Sequence, residues 1–103
     1  MSQEKLLYVI DDKKINYNIG NIIKGKSRLI GSKSTELIYL AEGKLDLVIY
    51  PHIEIWDSAA GSLICKESGL MVTDFDGKDD VLTNKSMISA KDWLHQKILL
   101  KLT

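Results

Sequence analysis

The side chains of this 103-residue chain that could do chemistry are its carboxylates, a glycine-serine corner, two histidines and one cysteine. In Trp56-Asp57-Ser58-Ala59-Ala60-Gly61, Asp57 follows a large aromatic and opens a run of very small residues. The run continues as Ser62-Leu63-Ile64-Cys65-Lys66-Glu67-Ser68 and stops at Gly69. A carboxylate at a helix start has two uses. As an N-cap it accepts hydrogen bonds from the free N–H groups of the first turn. As a ligand it offers oxygen to a hard cation such as Mg2+, which takes one or two carboxylates. Both hold together if one oxygen caps and the other coordinates. Gly31-Ser32 poses the same choice. The free amides and positive dipole end of a strand-to-helix corner suit phosphate, and Ser32 is equally an ordinary N-cap.

The other reactive residue types suggest less. His52 and His95 lie in unrelated contexts without paired zinc spacing, and Cys65 falls on an apolar helix face, which reads as burial and not as a Cys-His nucleophile. Asp74, Asp76, Asp79 and Asp80 crowd one segment but lack the glycine and terminal glutamate of an EF-hand loop, so they read as a solvated turn. No P-loop or glycine-rich dinucleotide fingerprint occurs. Lys plus Arg and Asp plus Glu balance at 14 each, and the aromatics are not interleaved with a basic patch, so nucleic acid is not an expected partner. A single cysteine excludes an internal disulfide framework and suits a reducing cytosol. No apolar run approaches the roughly 20 residues that span a bilayer, and Met1-Ser2-Gln3-Glu4-Lys5 lacks the pattern of a signal peptide. With 45% hydrophobic and 27% charged residues, one soluble cytoplasmic domain with no membrane partner is expected.

The elements that must position these groups follow from hydrophobic periodicity. Leu6 to Ile10 reads as a buried strand ended by Asp11-Asp12, either of which can cap a helix carrying Ile15, Ile19, Ile22 and Ile23 on one face, with Gly25 as its stop. Ser27 to Ile30 reads as a second strand, followed by a helix through Leu37, Leu40 and Ala41 to Gly43. Leu45 to Tyr50 is a third strand ended by Pro51. The approach loop leads into the helix of Asp57. Leu70 to Thr73 is a fourth strand, then come a turn and a polar loop, and Ser86 to Ser89 is a fifth. Ser89 with Asp92 forms a capping box for a last helix that packs through Trp93, Leu94, Ile98 and Leu102. The order β-α-β-α-β-α-β-β-α predicts an α/β fold: a mixed, largely parallel sheet of about five strands flanked by helices.

Taken together, Arg28-Leu29-Ile30-Gly31-Ser32, Leu40-Ala41-Glu42-Gly43-Lys44-Leu45-Asp46, Trp56-Asp57-Ser58-Ala59-Ala60-Gly61 and Glu67-Ser68-Gly69 resemble the C-terminal half of the inositol monophosphatase family, the Mg2+-dependent, lithium-sensitive phosphatases. The Leu-Ala-Glu-Gly run and the Tyr-Pro … Trp-Asp approach look closest to its 3′(2′),5′-bisphosphate nucleotidase branch. The resemblance implies that Asp57 binds metal close to the substrate phosphate and that Gly31-Ser32 begins a helix lining the substrate pocket. It also implies that the loop Tyr50-Pro51-His52-Ile53-Glu54-Ile55 approaches the group carrying the phosphate. Glu54 would contact a ribose or inositol hydroxyl, or else remain a solvated charge. The family's other metal carboxylates come from an upstream Glu and an Asp-Pro-Ile-Asp-Gly-Thr motif; residues 1 to 25 resemble neither, and Asp11-Asp12 lacks the Gly-Thr.

The expectation is therefore the C-terminal part of a Mg2+-dependent phosphomonoesterase that acts on the 3′-phosphate of adenosine 3′,5′-bisphosphate. It is incomplete by itself and completed by an N-terminal half encoded separately. The alternatives are an inositol-phosphate phosphatase fragment, a non-catalytic remnant serving as a structural or interaction module, and an unrelated interaction domain. Without its complement the chain is expected to expose apolar area near Trp56 and the third strand, and to self-associate.

Overall fold

The computed structural model describes residues 5 to 102, so the reading of the N-terminus as free of a signal peptide lies, Lys5 excepted, outside the described residues. Strands β1 (Leu6–Ile10), β2 (Gly25–Ser27), β3 (Leu47–Tyr50), β4 (Met71–Thr73) and β5 (Met87–Ala90) form one sheet in the order β2-β1-β3-β5-β4. β1 runs parallel to both β2 and β3, whereas β5 is antiparallel to β3 and β4. The helices are α1 (Lys13–Gly20), α2 (Lys33–Ala41), α3 (Ile55–Glu67), α4 (Val81–Asn84) and α5 (Asp92–Leu102).

Strand side chains alternate between the two faces of the sheet, and the apolar runs of β1 and β3 supply both faces. Val9, Val48 and Tyr50 meet Leu37 and Leu40 of α2 and Cys65 of α3. Tyr8, Ile10, Leu47 and Ile49 meet Ile19 of α1 and Leu94 and Ile98 of α5. Each such buried aliphatic side chain contributes roughly 1.5–3 kcal/mol. The small residues after Asp57 have a packing role here. Ser58, Gly61, Ser62 and Cys65 recur at helical spacing as the buried face of α3, and a Cβ on Gly61 would stand 2.3 Å from Leu37 Cδ1. Small side chains let α3 lie close against α2.

Helix ends agree with the local signals in several places. Asp12 caps α1, its Oδ1 accepting from Ile15 N at 2.9 Å. Ser32 caps α2, its Oγ accepting from Thr35 N at 3.4 Å. Gly43 and Gly69 follow α2 and α3 with φ of 82° and 84°, the left-handed conformation that favours glycine at a helix stop.

Elsewhere the fold corrects the sequence expectations. The second strand is Gly25–Ser27, not Ser27 to Ile30, and Leu29 is 73% exposed. Gly25 is not the stop of α1, which ends at Gly20. It opens β2 where a Cβ would come within 2.3 Å of the Leu6 carbonyl oxygen, so close backbone pairing with β1 requires a glycine. The short helix α4 stands where a polar loop was expected. The Ser89-Asp92 capping box does not form: Ser89 is fully buried in β5, and α5 starts at Asp92 with His95 N donating to the Lys91 carbonyl at 2.8 Å. Trp93 is exposed rather than packed. The third strand, near which exposed apolar area was expected, is itself buried along its whole length between β1 and β5.

Candidate functional site

Three parallel strands, β1, β2 and β3, all end at the same edge of the sheet, where α1, α2 and α3 begin. The chain moves from β1 outward to β2, then crosses back past β1 to β3. Open α/β sheets bind ligands outside the carboxyl ends of the strands at such a reversal. Here the reversal lies between the connection after β1, which carries Asp11, and the one after β3, which carries Tyr50 to Glu54.

The corner before α2 is built by a buried carboxylate that the sequence analysis did not single out. Glu36 is only 2% exposed. Its Oε2 accepts from the amides of Ile30 at 2.9 Å and Gly31 at 3.1 Å, and its Oε1 accepts from the Tyr50 phenol at 2.6 Å. Gly31 sits there with φ of 99°. Burial and the bond to Glu36 raise the Tyr50 pKa far above its ordinary value, so the phenol keeps its proton and donates it. The Gly31 amide, expected to face substrate, is thus engaged within the protein. Ser32, Lys33 and Ser34 retain backbone N–H groups without an acceptor among the described residues. Lys33 adds a cation: its Nζ lies 3.3 Å from Asp11 Oδ2 and 5.4 Å from the centre of the Tyr50 ring. A sequence signal for Glu36 existed, an acidic residue one position from Leu37 on the apolar face of its helix.

Asp57 occupies the third position of α3, not the cap. The N-cap residue is Glu54, which makes no side-chain capping bond. The expectation that Asp57 caps its helix is therefore overturned. Three residues into the helix, its carboxylate accepts no hydrogen bond among the described residues, while its place in the first turn still suits the dipole. Glu54 pairs instead with His52, Oε2 to Nε2 at 3.2 Å, both side chains largely in solvent. The loop between them is pinned by Ile53, fully buried, whose N–H donates to the Lys85 carbonyl at 2.8 Å.

The remaining carboxylates do not gather. No group of three or more His, Cys, Asp or Glu side chains among the described residues is placed to hold a metal ion. Asp79 pairs with Lys66 at 2.7 Å. Asp74, read as part of a solvated turn, is fully buried: its Oδ1 accepts from the amides of Asp76 and Lys78, and its Oδ2 from Asn84 Nδ2 at 2.6 Å. Burial alone would raise its pKa, but these bonds and the Lys78 charge outweigh it and hold the carboxyl below its ordinary range. His95 is buried against Thr73, Nε2 to Oγ1 at 2.7 Å, and burial lowers its pKa. Cys65 is buried as expected, which pushes its thiol pKa up. A groove of about 270 Å³ between α3 and α4, lined by Ala59, Leu63, Lys66, Asp79 and Val81 among others, shares no residue with the corner or with Asp57.

Compared with known proteins, residues 4–103 match the inositol monophosphatase family. The chain is 36% identical over 72 residues to the fructose-1,6-bisphosphatase/inositol-1-monophosphatase of Thermotoga maritima, covering 70% of this chain and 28% of that protein. It is 38% identical over 72 residues to an inositol-1-monophosphatase of Mesorhizobium japonicum, covering 70% of this chain and 27% of that protein. The crystal structure of the extragenic suppressor protein suhB from Bartonella henselae matches with a TM-score of 0.86 at 29% identity, over 97% of this chain and 43% of that one. The chain spans less than a third of the length of these two curated relatives.

Proposed function

The chain belongs to the inositol monophosphatase family, and from that premise we infer that residues 1–103 are the C-terminal, substrate-holding part of a phosphomonoesterase whose other metal ligands come from polypeptide outside this sequence. The observation that carries the inference is the Asp57 carboxylate: it is at the start of α3, at the ligand-binding edge of the sheet, and uncommitted to any hydrogen bond among the described residues. The family is generally Mg2+-dependent, and an uncommitted carboxylate is a donor of the type Mg2+ takes. It is one ligand. With no acidic cluster among the described residues, this part of the protein supplies a share of a metal site and not the whole.

The residues have distinct tasks in this reading. Asp57 holds a cation near the phosphate, and a bound divalent ion would polarise the phosphoryl group and lower the pKa of an attacking water. The Ser32, Lys33 and Ser34 amides and the Lys33 ammonium receive phosphate oxygens at the Gly31-Ser32 corner. Glu54, reaching out with His52 from the approach loop, contacts hydroxyls of the alcohol that carries the phosphate. The Leu-Ala-Glu-Gly and Tyr-Pro segments favour adenosine 3′,5′-bisphosphate as that substrate, and the names of the two curated relatives favour an inositol monophosphate or a sugar bisphosphate.

Mixing the chain with the N-terminal part of a family member and Mg2+ tests the inference, with adenosine 3′,5′-bisphosphate and inositol 1-phosphate offered separately. Phosphate release is expected from the mixture and from neither piece alone, and Asp57→Asn should lower it by about 100-fold or more, the scale of losing one charge-stabilising group. If the pieces neither associate nor release phosphate from either compound, the reading fails. The lack of a complete acidic cluster among the described residues also supports a second reading, a non-catalytic module. Tight calorimetric binding of Mg2+ and phosphate by the chain alone would count against that one.

A further inference from the structure

Two surfaces on opposite sides of the sheet combine exposed apolar side chains with unpaired charge. On α5, Trp93, Gln96, Lys97, Leu100 and Lys101 are all exposed and recur at i, i+3, i+4, i+7 and i+8, one face of a helix. Trp93 is 58% and Leu100 77% exposed, and the Lys97 and Lys101 ammonium groups pair with nothing among the described residues. The other face of α5 is the anchored one, through Leu94 and Ile98. The second surface is the groove between α3 and α4. Ala59, Leu63 and Leu82 give it apolar walls, and Lys66 and Asp79 close on each other within it. Asp80, next to that pair, makes no side-chain cap on α4 and meets no cation among the described residues. One surface is thus a convex apolar stripe with spare cations, and the other an apolar groove with a spare carboxylate.

α5 packs on the side of the sheet that carries Ile49 and Ile88, whereas α3 and α4 bring Cys65 and Val81 to the other side. The two surfaces therefore cannot meet within one molecule. Between molecules the overall charge does not oppose them, since acidic and basic residues balance at 14 each. We propose that the α5 face of one copy of this chain seats in the α3–α4 groove of a second copy, Trp93 and Leu100 against Leu63 and Leu82, and the Lys97 and Lys101 cations toward Asp80. The contact is head-to-tail, so each added copy presents a fresh helix face and a fresh groove, and growth continues past a dimer. Interfaces below roughly 1,200 Å² are weak; one helix seated in one groove is of that kind, and assembly rises with protein concentration. Neither surface contains Asp57 or the corner before α2, so this inference and the phosphatase reading fail separately.

The test is sedimentation velocity over a concentration series, with paired variants. The unaltered chain should form species larger than a dimer as its concentration rises. Trp93→Glu spoils the helix face and Leu63→Lys spoils the groove, each by setting a charge against a like one. Both side chains are exposed, so both variants should fold, which circular dichroism checks. Either variant alone should need at least about tenfold more protein to assemble, the effect of losing a central apolar anchor. Mixed, the two should form a one-to-one dimer and nothing larger, because a single sound helix face then meets a single sound groove. Asp80→Lys should raise the concentration needed for assembly several-fold, and adding Lys97→Asp with Lys101→Asp should bring it back. Leu29→Lys, at an exposed position outside both surfaces, should change nothing. Assembly of folded Trp93→Glu or Leu63→Lys at the concentration that suffices for the unaltered chain overturns the proposal, as does loss of assembly in Leu29→Lys. Two folded variants that stay monomeric when mixed also overturn it, the outcome expected if a different protein or a two-fold contact fills the groove. So does an unaltered chain that is monomeric at every concentration.

Discussion

His95 and Asp74 each link folding to pH on the acid side, and each acts through a hydrogen-bond arrangement that its own sequence neighbourhood does not announce. Thr73 Oγ1 donates to the Asp74 carbonyl at 2.9 Å, so His95 Nε2 must donate to Thr73; Nδ1 is then a buried acceptor without a partner among the described residues. Burial lowers the pKa of His95 below 6.5 in the folded state. On acidification the unfolded chain therefore takes up a proton first, and stability falls as the pH drops from about 6.5 through the folded value. Asp74 acts in a separate, more acidic window. Its folded pKa is depressed, so its contribution is intact above the ordinary 3.8 and is lost as the pH falls through the folded value. Urea midpoints measured from pH 8 to pH 3 should decline in these two stages. His95→Gln should flatten the first stage only, and a midpoint independent of pH between 7 and 5 in the unaltered chain would contradict this assignment.

Within elements, two glycines carry the tightest approaches, and they differ in what they approach. At Gly25 the obstacle is backbone: the Leu6 carbonyl oxygen at 2.3 Å and carbon at 3.0 Å from an added Cβ. Gly25→Ala must move β2 away from β1, with an expected loss of about 2–3 kcal/mol in chemical denaturation. At Gly61 the obstacle is the Leu37 side chain, Cδ1 at 2.3 Å and Cγ at 3.2 Å, and not backbone. Alanine there also gains about 1 kcal/mol of helix propensity, so Gly61→Ala should cost only about 1 kcal/mol net. A larger loss at Gly61 than at Gly25 would reverse this ranking. The capping signals at Asp12 and Ser32 and the stops at Gly43 and Gly69 were legible because each depends on residues three or four positions away. Gly25 was misread as a helix stop because its role is set by Leu6, on a neighbouring strand.

At the scale of the whole molecule, edges and faces are protected differently. The edge strands β2 and β4 are three residues each, and Lys26 sits on β2, features that discourage strand-to-strand association. Met71 is the one large apolar side chain exposed on these edge strands among the described residues; others lie on helices and loops, among them Trp56 at 73% exposure, Leu63 at 60%, Leu82 at 45% and Leu29 beside the corner. The expected exposed surface near Trp56 is present, while the expected contribution from the third strand is not. Isolated residues 1–103 should self-associate through helix faces, visible in light scattering coupled to size-exclusion chromatography and in ANS fluorescence. Trp56→Lys with Leu63→Lys should restore a monomer. A monodisperse, ANS-negative monomer from the unaltered chain would count against this.

By itself the sequence determined the α/β alternation, the caps at Asp12 and Ser32, the stops at Gly43 and Gly69 and the family resemblance, because apolar periodicity, caps and motif spacing are local properties of the chain. It also marked Asp57, as a metal ligand that caps its helix as well; the structure moved it to the third helical position, with its carboxylate uncommitted among the described residues. Only the tertiary structure decided the pairing of the buried polar groups. Glu36 and Tyr50 are 14 residues apart, His95 and Thr73 are 22 apart, and Asp74 is locked in part by Asn84, 10 residues further on. These bonds form because the fold removes the groups from water and leaves each buried polar atom dependent on whichever partner a distant segment brings to it.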